Sequence, residues 1–393
     1  MRVLVFTSLF PNNVRPQHGI FIQERMARVA SFPGMQLRVV APVPYFPPLP
    51  IPAWSEYSRV SPCTEAEGIS VCHPRYFLLP KVSTRWHGSL MAAGVLSRVR
   101  MLRGEFPFDL IDAHFAYPDG FAAVEIGRKL NVPVVVSARG SDINVMSELP
   151  SVRPLLQRTV AGAAALIAVS RPLGEALIRL GASPEQVTVI PNGVDAAKFH
   201  PVGREEARAA LGMPAGTLIV SVGHLTENKG FDRLLRAFSR LRVEKEHRET
   251  RLAIVGEGSY RRELEGLAAA LGVGDVVRLA GAIPHAELFR WYAAADLTCL
   301  FSRREGWPNV VLESLACGTP VLATPVGGIP DALADPSVGA LVDGDERSLA
   351  DGLSAALARR WDRVAIRRYA EGHSWERVAE SVVHVFRSAI AHG

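Results

Sequence analysis

Residues 301–320 read FSRREGWPNVVLESLACGTP, a turn-rich loop that runs into an apolar, helix-like segment. Pro308 suits the first turn of a helix, and Gly318 suits its end. Glu305 then lies just ahead of the helix N-terminus, where backbone N–H groups point at anions. Glu313 lies roughly 7–8 Å further along the helix axis. Two acceptors that flank an anion-binding helix end can hold hydroxyl-bearing groups on either side of a diphosphate, which describes a sugar nucleotide.

A simpler interpretation of the two glutamates needs no ligand. Glu305 would complement the positive end of the helix dipole, and Glu313 would be a polar surface residue. The spacing alone does not separate the two interpretations, so the remainder of the chain has to.

The bulk composition predicts a globular protein of two domains. The chain has 393 residues, of which 48% are hydrophobic and 21% charged. The net charge of +5 and the pI near 9.2 suit an anionic ligand or an anionic membrane surface. No basic run is interleaved with aromatic residues, so nucleic acid is not expected as a partner.

The cysteines and the apolar runs predict a cytoplasmic protein. The four cysteines have no CxxC spacing and no clustered histidine, so they are typical of reduced thiols and predict no zinc site. The apolar run at the N-terminus is too short for a signal peptide, and no run of eighteen apolar residues predicts a spanning helix. Peripheral contact with the inner face of the membrane stays open.

Short apolar runs alternate with helical periodicities along the whole chain; for example, Leu110–His114 predicts a strand and Phe121–Leu130 predicts a helix. This alternation predicts an α/β architecture with parallel, doubly wound sheets. It begins again after residues 191–201, so we predict two Rossmann-like domains, 1–193 and 194–373, that face each other across a cleft. A last helix, at about 374–393, is expected to pack back onto the first domain. Residues 42–52 hold six prolines and predict an extended surface loop.

Three loops that follow predicted strands in the second half carry glycines. In GHLTENKG, residues 223–230, Gly223 permits close backbone approach and Lys229 provides a charge suited to a diphosphate. The spacing is not that of a Walker loop. Alternatively, Lys229 is a surface lysine near a helix start, a position that disfavours a cation. The other two loops hold Gly256 and Ile283, the latter apolar enough to flank a base.

Polar residues follow the predicted strands of the first half as well. The loop 13–19 is the one most expected to approach a ligand, and its His18 is either a satisfied loop histidine or a ligand contact. His114 and Asp119 lie in DAHFAYPDG, whereas Arg139 and Asp142 lie in ARGSD. These four are the candidates for the acceptor side and for proton handling. The nucleophile elbow GxSxG is absent from the sequence.

Several runs occur in an order that resembles a known family. GHLTENKG, VGEG, GAIPHAEL, YAAADL and residues 301–331 resemble the C-terminal half of retaining glycosyltransferases of family 4, which have the two-domain GT-B fold. IPNGVD, YPDG and RGSD extend the resemblance over nearly the whole chain. It implies a hexosyltransferase that moves a sugar from a nucleotide-diphosphate sugar to a glycan or lipid-linked acceptor. It further implies a place in cell-surface polysaccharide or glycolipid biosynthesis, with no metal or other cofactor.

The resemblance also implies roles for individual residues. Glu305 contacts the hydroxyls of the donor sugar, Glu313 holds the ribose hydroxyls, and Lys229 binds the diphosphate. The loop that ends at Gly19 closes over the phosphates. The remaining implied donor contacts are Gly223, His224 and Gly256 in the glycine loops, Ile283 beside the base, and the stretch Gly306, Trp307, Pro308 and Asn309, through the backbone N–H groups that its non-proline residues carry.

Two positions depart from the family's pattern. His224 stands where the family usually has an arginine, so phosphate stabilisation depends more on Lys229 or on a protonated His224. Arg139 stands where the family commonly has a histidine against the donor sugar, and a guanidinium does not act as a base at ordinary pH. Arg139 is then expected to stabilise the leaving diphosphate, and His114 is the candidate base. Retention without a dedicated nucleophile fits front-face attack within an ion-pair-like step.

Two other functions fit the same architecture. A sugar-nucleotide epimerase would require no acceptor. A non-catalytic sugar-nucleotide-binding protein would bind the donor without turnover, in keeping with the missing histidine and arginine. The paired glutamates, together with YPDG and RGSD, favour the transferase.

Overall fold

A computed structural model describes residues 1–45, 56–78 and 84–392. The chain divides into two compact units, which are residues 1–192 with 375–393 (the N-terminal unit) and residues 193–374 (the C-terminal unit). Each unit contains a largely parallel sheet with helices, so the predicted α/β class with two doubly wound domains is confirmed. Within the described ranges, no helix is both long enough and apolar enough to cross a membrane.

The N-terminal unit contains an eight-stranded sheet and a separate two-stranded sheet. Its strands are β1 (Arg2–Phe6), β2 (Gln36–Val40), β3 (Val43–Tyr45), β4 (Cys63–Ala66), β5 (Ile69–Cys72), β6 (Arg75–Phe77), β7 (Leu110–His114), β8 (Val134–Ala138), β9 (Ala165–Ala168) and β10 (Val187–Val189). The large sheet has the order β10-β9-β8-β7-β1-β2-β5-β4. Its pairs are parallel except for the antiparallel pair of β4 with β5.

The C-terminal unit contains a six-stranded parallel sheet. Its strands are β11 (Leu218–Val222), β12 (Arg251–Val255), β13 (Val277–Gly281), β14 (Leu297–Leu300), β15 (Val321–Ala323) and β16 (Gly339–Leu341). Their order is β13-β12-β11-β14-β15-β16. The centre of the sheet therefore places the carboxyl ends of β12, β11 and β14 side by side.

Helices follow most of the strands in both units. In chain order they are α1 (Ile20–Ala30), α2 (His87–Glu105), α3 (Phe121–Leu130), α4 (Ser141–Asn144), α5 (Arg153–Gly162), α6 (Arg171–Arg179), α7 (Arg204–Ala210), α8 (Phe231–Leu241), α9 (Arg261–Ala270), α10 (Leu288–Ala294), α11 (Asn309–Ala316), α12 (Ile329–Ala332), α13 (Glu346–Ala358), α14 (Arg363–Glu371) and α15 (Trp375–His392).

Burial of apolar side chains accounts for the central strands of the N-terminal unit and for the position of the last helix. Every residue of β7 and β8 is buried, as expected for parallel strands that are covered on both faces. The helix α15 packs against α1, and its Trp375 and Phe386 share a core with Ile22 and Met26. The C-terminal residues of the chain thus complete the core of the N-terminal unit.

The predicted loop at 42–52 is partly a strand. Val43–Tyr45 pairs in parallel with Arg75–Phe77, and Pro44 is tolerated because a two-stranded sheet has only edge strands. Residues 46–52 of the predicted loop lie outside the described residues.

Candidate functional site

Three loops approach one another at the carboxyl ends of β11, β12 and β14. A Cβ atom on Gly256 would lie 1.9 Å from the carbonyl oxygen of Gly223. A Cβ atom on Gly230, whose φ is 66°, would lie 1.9 Å from the carbonyl oxygen of Phe301. Only glycine permits these approaches. They bring the loops together at the sheet edge where open α/β sheets bind ligands.

Lys229 and Glu305 are in direct contact at this edge. The Nζ of Lys229 donates to Oε1 of Glu305 at 2.7 Å, and the Oγ of Ser302 donates to the same oxygen at 2.7 Å. Glu305 is buried, whereas 27% of the Lys229 side chain is exposed. The contact fixes the carboxylate and leaves the ammonium group with N–H donors for a further acceptor.

The helix α11 begins directly after the Glu305 loop. The Val311 N–H donates to the carbonyl oxygen of Pro308 at 2.9 Å, and no acidic residue lies in the first turn. The first N–H groups of a helix in general lack acceptors four residues earlier in the same helix. The preceding Trp307 is buried, and its indole Nε1 has no hydrogen-bond partner among the residues that the structure describes. Gly306 accepts the Gly328 N–H at 3.1 Å through its carbonyl group. The predicted helix start after Pro308 thus presents N–H donors beside Glu305, an arrangement suited to an anion.

Glu313 is held by two side chains that the sequence analysis did not identify. The Tyr292 hydroxyl donates to Oε2 at 2.8 Å, and His285 Nε2 lies 3.0 Å from Oε1. Only 7% of Glu313 is exposed, so the interpretation of this residue as surface polarity is wrong. Burial, reinforced by the carboxylate, raises the pKa of Tyr292 well above its usual value, so the hydroxyl remains a donor.

The other predicted donor contacts of the C-terminal unit lie in the same loops. The Gly256 N–H donates to the carbonyl oxygen of Gly281 at 2.9 Å. Ile283 is half-buried, two residues before His285, and His224 is exposed in the loop between β11 and α8. Pro308 is buried and Asn309 half-buried at the start of α11.

In the N-terminal unit, the loop after β1 lines a cavity. Gly19 has a φ of 76°, and a Cβ atom there would lie 2.3 Å from the carbonyl oxygen of Leu9. His18 precedes it and lines a cavity of about 210 Å³ together with Arg15, Tyr57 and Tyr76. Burial, with the nearby charge of Arg15, lowers the pKa of His18. The cavity therefore presents a neutral imidazole and tyrosine rings.

Asp119 and Asp142 organise the backbone of the N-terminal unit. Asp119 is buried and accepts the N–H of Ser8, as well as the Ser8 hydroxyl at 3.1 Å. Burial raises the pKa of Asp119 to about 7. Asp142 accepts the backbone N–H groups of Ala116, Arg139 and Gly140. Both carboxylates are occupied in positioning the loops that carry the other candidates.

His114 and Arg139, the two candidates for chemistry, are in direct contact. Arg139 Nη2 lies 2.6 Å from His114 Nδ1, and Arg139 Nη1 donates to Asn192 Oδ1 at 2.8 Å. The Nε2 of His114 lies 3.1 Å from Oδ2 of Asp112. His114 has no exposed surface, and burial lowers its pKa to about 4. A base role for His114 would therefore require these contacts to rearrange.

The structure brings the predicted residues into separate groups within each unit. Lys229 and Glu305 form one group, and His114, Arg139 and Asp142 form another. The sequence analysis missed Asp112, Asn192, His285, Tyr292 and Ser302. A tyrosine in the apolar run WYAAADL was the available signal, because a buried hydroxyl requires a partner. In the described part of the chain, no cluster of His, Cys, Asp and Glu could hold a metal ion.

Comparison with known sequences identifies relatives along both units. Residues 203–373 match the family described as Glycosyl transferases group 1, and residues 31–198 match Glycosyltransferase Family 4. A D-inositol 3-phosphate glycosyltransferase of Thermobifida fusca is 35% identical over 305 residues, which are 72% of this chain and 70% of that protein. A putative teichuronic acid biosynthesis glycosyltransferase, TuaC of Bacillus subtilis, is 32% identical over 340 residues, covering 84% and 82%.

Solved structures share the fold at low sequence identity. A sucrose-phosphate synthase from Thermosynechococcus elongatus matches with a TM-score of 0.78 at 20% identity, covering 100% of this chain and 99% of that one. The Anabaena protein HepE, solved in complex with UDP and glucose, matches with a TM-score of 0.72 at 18% identity, covering 98% and 99%. These similarities establish the fold.

Proposed function

The chain belongs to the group 1 glycosyltransferases, and from that premise we propose that it moves a sugar from a nucleotide-diphosphate sugar to a glycan or lipid-linked acceptor with retention of configuration. The observation that carries the proposal is the Glu305 site, where Lys229 and the start of α11 adjoin one buried carboxylate. A cation and helix N–H groups suit a diphosphate, and a carboxylate suits sugar hydroxyls.

The donor is held in two parts in this proposal. Lys229 and the first turn of α11 bind the diphosphate, while Glu305 accepts hydrogen bonds from the sugar. Glu313 accepts the ribose hydroxyls, since Tyr292 and His285 hold its carboxylate in one orientation. Ile283 lies by the base. The related fold of HepE has been solved in complex with UDP and with UDP-glucose, which supports uridine diphosphate glucose as the first donor to test.

The reaction proceeds through electrostatic stabilisation of the leaving diphosphate. Lys229 and the helix N–H groups meet the negative charge that develops on the leaving oxygen. The acceptor hydroxyl attacks from the face that the diphosphate leaves. The bond between the anomeric carbon and the phosphate oxygen breaks, and the hydroxyl proton passes to that leaving oxygen, so the configuration is retained without a protein nucleophile. The proposal requires no metal, because a cation and a helix end provide the charge.

The acceptor belongs to cell-surface polysaccharide or glycolipid biosynthesis in this proposal, with His18, Asp119 and Asp142 on its side of the site. A relative named for teichuronic acid biosynthesis supports such an acceptor. By sequence, the N-terminal unit has 21 Lys and Arg against 15 Asp and Glu, whereas the C-terminal unit has 23 against 24. This asymmetry supports a cytoplasmic enzyme whose N-terminal unit meets the anionic inner face of the membrane.

A panel of nucleotide sugars tests the proposal. We expect one nucleotide-diphosphate sugar to raise the midpoint of thermal unfolding, and its radiolabelled form to transfer label to a cell-envelope extract. Transfer should survive excess EDTA. Conversion of the donor without any acceptor would indicate an epimerase, and binding without turnover would indicate a non-catalytic protein. Activity that EDTA abolishes and magnesium restores would overturn the metal-free mechanism.

A further inference from the structure

Arg139 is a buried cation whose direct side-chain partners are neutral. Only 8% of the residue is exposed. Its guanidinium contacts the amide oxygen of Asn192 and the Nδ1 of His114, and it lies 5.4 Å from the centre of the Phe21 ring. The Nε group has no hydrogen-bond partner among the described residues. A buried charge is costly unless it is both hydrogen-bonded and paired with an opposite charge. This guanidinium has hydrogen bonds, but among the described residues it has no carboxylate as a hydrogen-bond partner.

The two nearby carboxylates, Asp142 and Asp112, do not form hydrogen bonds with the guanidinium of Arg139. Asp142 directs its oxygens at three backbone N–H groups, including that of Arg139 itself. Asp112 attracts the guanidinium electrostatically, but its hydrogen-bond connection to Arg139 runs through the imidazole of His114. Arg25 adds a second fully buried cation, which is coupled electrostatically to Asp112 and contacts Ser137 Oγ at 3.4 Å. Asp112 therefore attracts two arginines, and among the described residues neither guanidinium has a carboxylate in hydrogen-bond contact.

His114 fixes the orientation of the guanidinium. Its Nδ1 accepts from Arg139, so in the neutral tautomer its proton is on Nε2, which faces Asp112. Burial keeps this imidazole neutral at ordinary pH, since its pKa is lowered to about 4. Two fixed contacts hold the planar guanidinium at the carboxyl end of β8, with Nε unused. The guanidinium therefore has a fixed orientation, and its Nε–H is a donor without an acceptor among the described residues.

We propose that Arg139 binds an oxyanion of a substrate, a carboxylate or a phosphate, and that His114 and Asn192 are the positioning residues of this anion site. The planar fork of arginine matches both groups and forms charge-assisted hydrogen bonds with them. The inference rests on the proposed transferase function. The oxyanion has two sources, which are a carboxylate on the donor sugar and a phosphate on the acceptor.

Two pairs of probes distinguish the sources, because the members of each pair differ by one anionic group. They are UDP-glucuronic acid with UDP-glucose, and inositol 3-phosphate with inositol. Dissociation constants are measured for the full chain and for Arg139→Gln, Arg139→Lys and the exposed control Arg128→Gln. Thermal unfolding of each variant checks the fold. If Arg139→Gln does not fold, Arg139→Lys, which keeps the charge but not the planar fork, provides the comparison.

The expected result is a selective loss in one pair. Arg139→Gln should weaken the anionic member by about tenfold or more, as for a charge-assisted hydrogen bond, and leave its neutral counterpart within about twofold. Arg139→Lys should recover part of the loss, and Arg128→Gln should bind as the wild type does. Equal losses in both members of every pair, or no loss in any, would overturn the anion site. Donor turnover by the wild type, measured separately, tests the transferase function itself.

Discussion

Glu313→Gln is the substitution that tests the donor site most cleanly. Glutamine keeps the size of the side chain and an acceptor oxygen for the Tyr292 hydroxyl, while it removes the negative charge. Glu313→Ala is a poorer choice, because it would leave the fully buried hydroxyl of Tyr292 without an acceptor, at a cost of about 1–3 kcal/mol in stability.

The magnitude follows from the type of hydrogen bond that is lost. A bond to a charged group contributes about 1.5–3 kcal/mol, and a neutral bond about 0.5–1.5 kcal/mol. With one or two ribose hydroxyls on Glu313, the substitution should cost about 1–3 kcal/mol of donor binding. This corresponds to a rise of about 5- to 150-fold in the dissociation constant.

Calorimetric titration with the donor measures the effect, and the free energy of unfolding is measured beside it. Glu263→Gln, an exposed glutamate on α9, is the matched control and should bind the donor as the wild type does. The penalty should shrink when the titrant lacks the ribose hydroxyls. Equal affinity in Glu313→Gln and wild type, or a penalty that persists in full with the deoxy donor, would refute the assignment.

Three further substitutions test other parts of the account. Lys229→Ala should lose most of the transfer activity, because the diphosphate loses its cation, while exposed Lys245→Ala should not; a turnover within about twofold of wild type would contradict the role. Gly230→Ala should unfold at a markedly lower temperature, because its Cβ would lie 1.9 Å from the carbonyl oxygen of Phe301, and an unchanged midpoint would contradict the close approach. For Asp119, burial raises the pKa from 3.8 to about 7, so the folded state keeps a proton that the unfolded chain releases. Its contribution to stability is complete below about pH 4 and is lost as the pH rises through about 7. Asp119→Asn should therefore gain stability relative to wild type as the pH rises over this range. The free energy of unfolding in urea is measured for both proteins at pH 5 and pH 7.5, and an equal difference between them at the two pH values would exclude this gain.

The regular elements were predictable where apolar runs are continuous. Leu110–His114 and Phe121–Leu130 have the predicted bounds, because a fully buried strand and a largely buried helix that ends in charged residues each carry their own pattern. The helix Arg153–Gly162 was missed, since only Leu156, Thr159 and Val160 of it are buried. The edge strand Cys63–Ala66 was missed for a similar reason, because it alternates exposed and half-buried residues and is defined by its pairing with β5.

The candidate site was predictable as a set of residue types, but its contacts were not. Lys229 and Glu305 were each assigned to the donor, yet their contact joins residues 76 positions apart and depends on the close approach at Gly230. The partners of Glu313 come from the α10 region, and an isolated tyrosine or histidine in an apolar run does not indicate where its polar atom points. The burial of His114 could likewise not be predicted from the sequence, because it arises from the strands that flank β7.

Proton NMR of the reaction in excess EDTA tests the central claim most directly. The wild type is incubated with the nucleotide-diphosphate sugar that stabilises it and with its acceptor, and the anomeric proton of the transferred sugar is followed with time. We expect release of the nucleoside diphosphate and a first-formed product that keeps the donor's anomeric configuration. A product of inverted configuration, or no consumption of any nucleotide-diphosphate sugar, would contradict it.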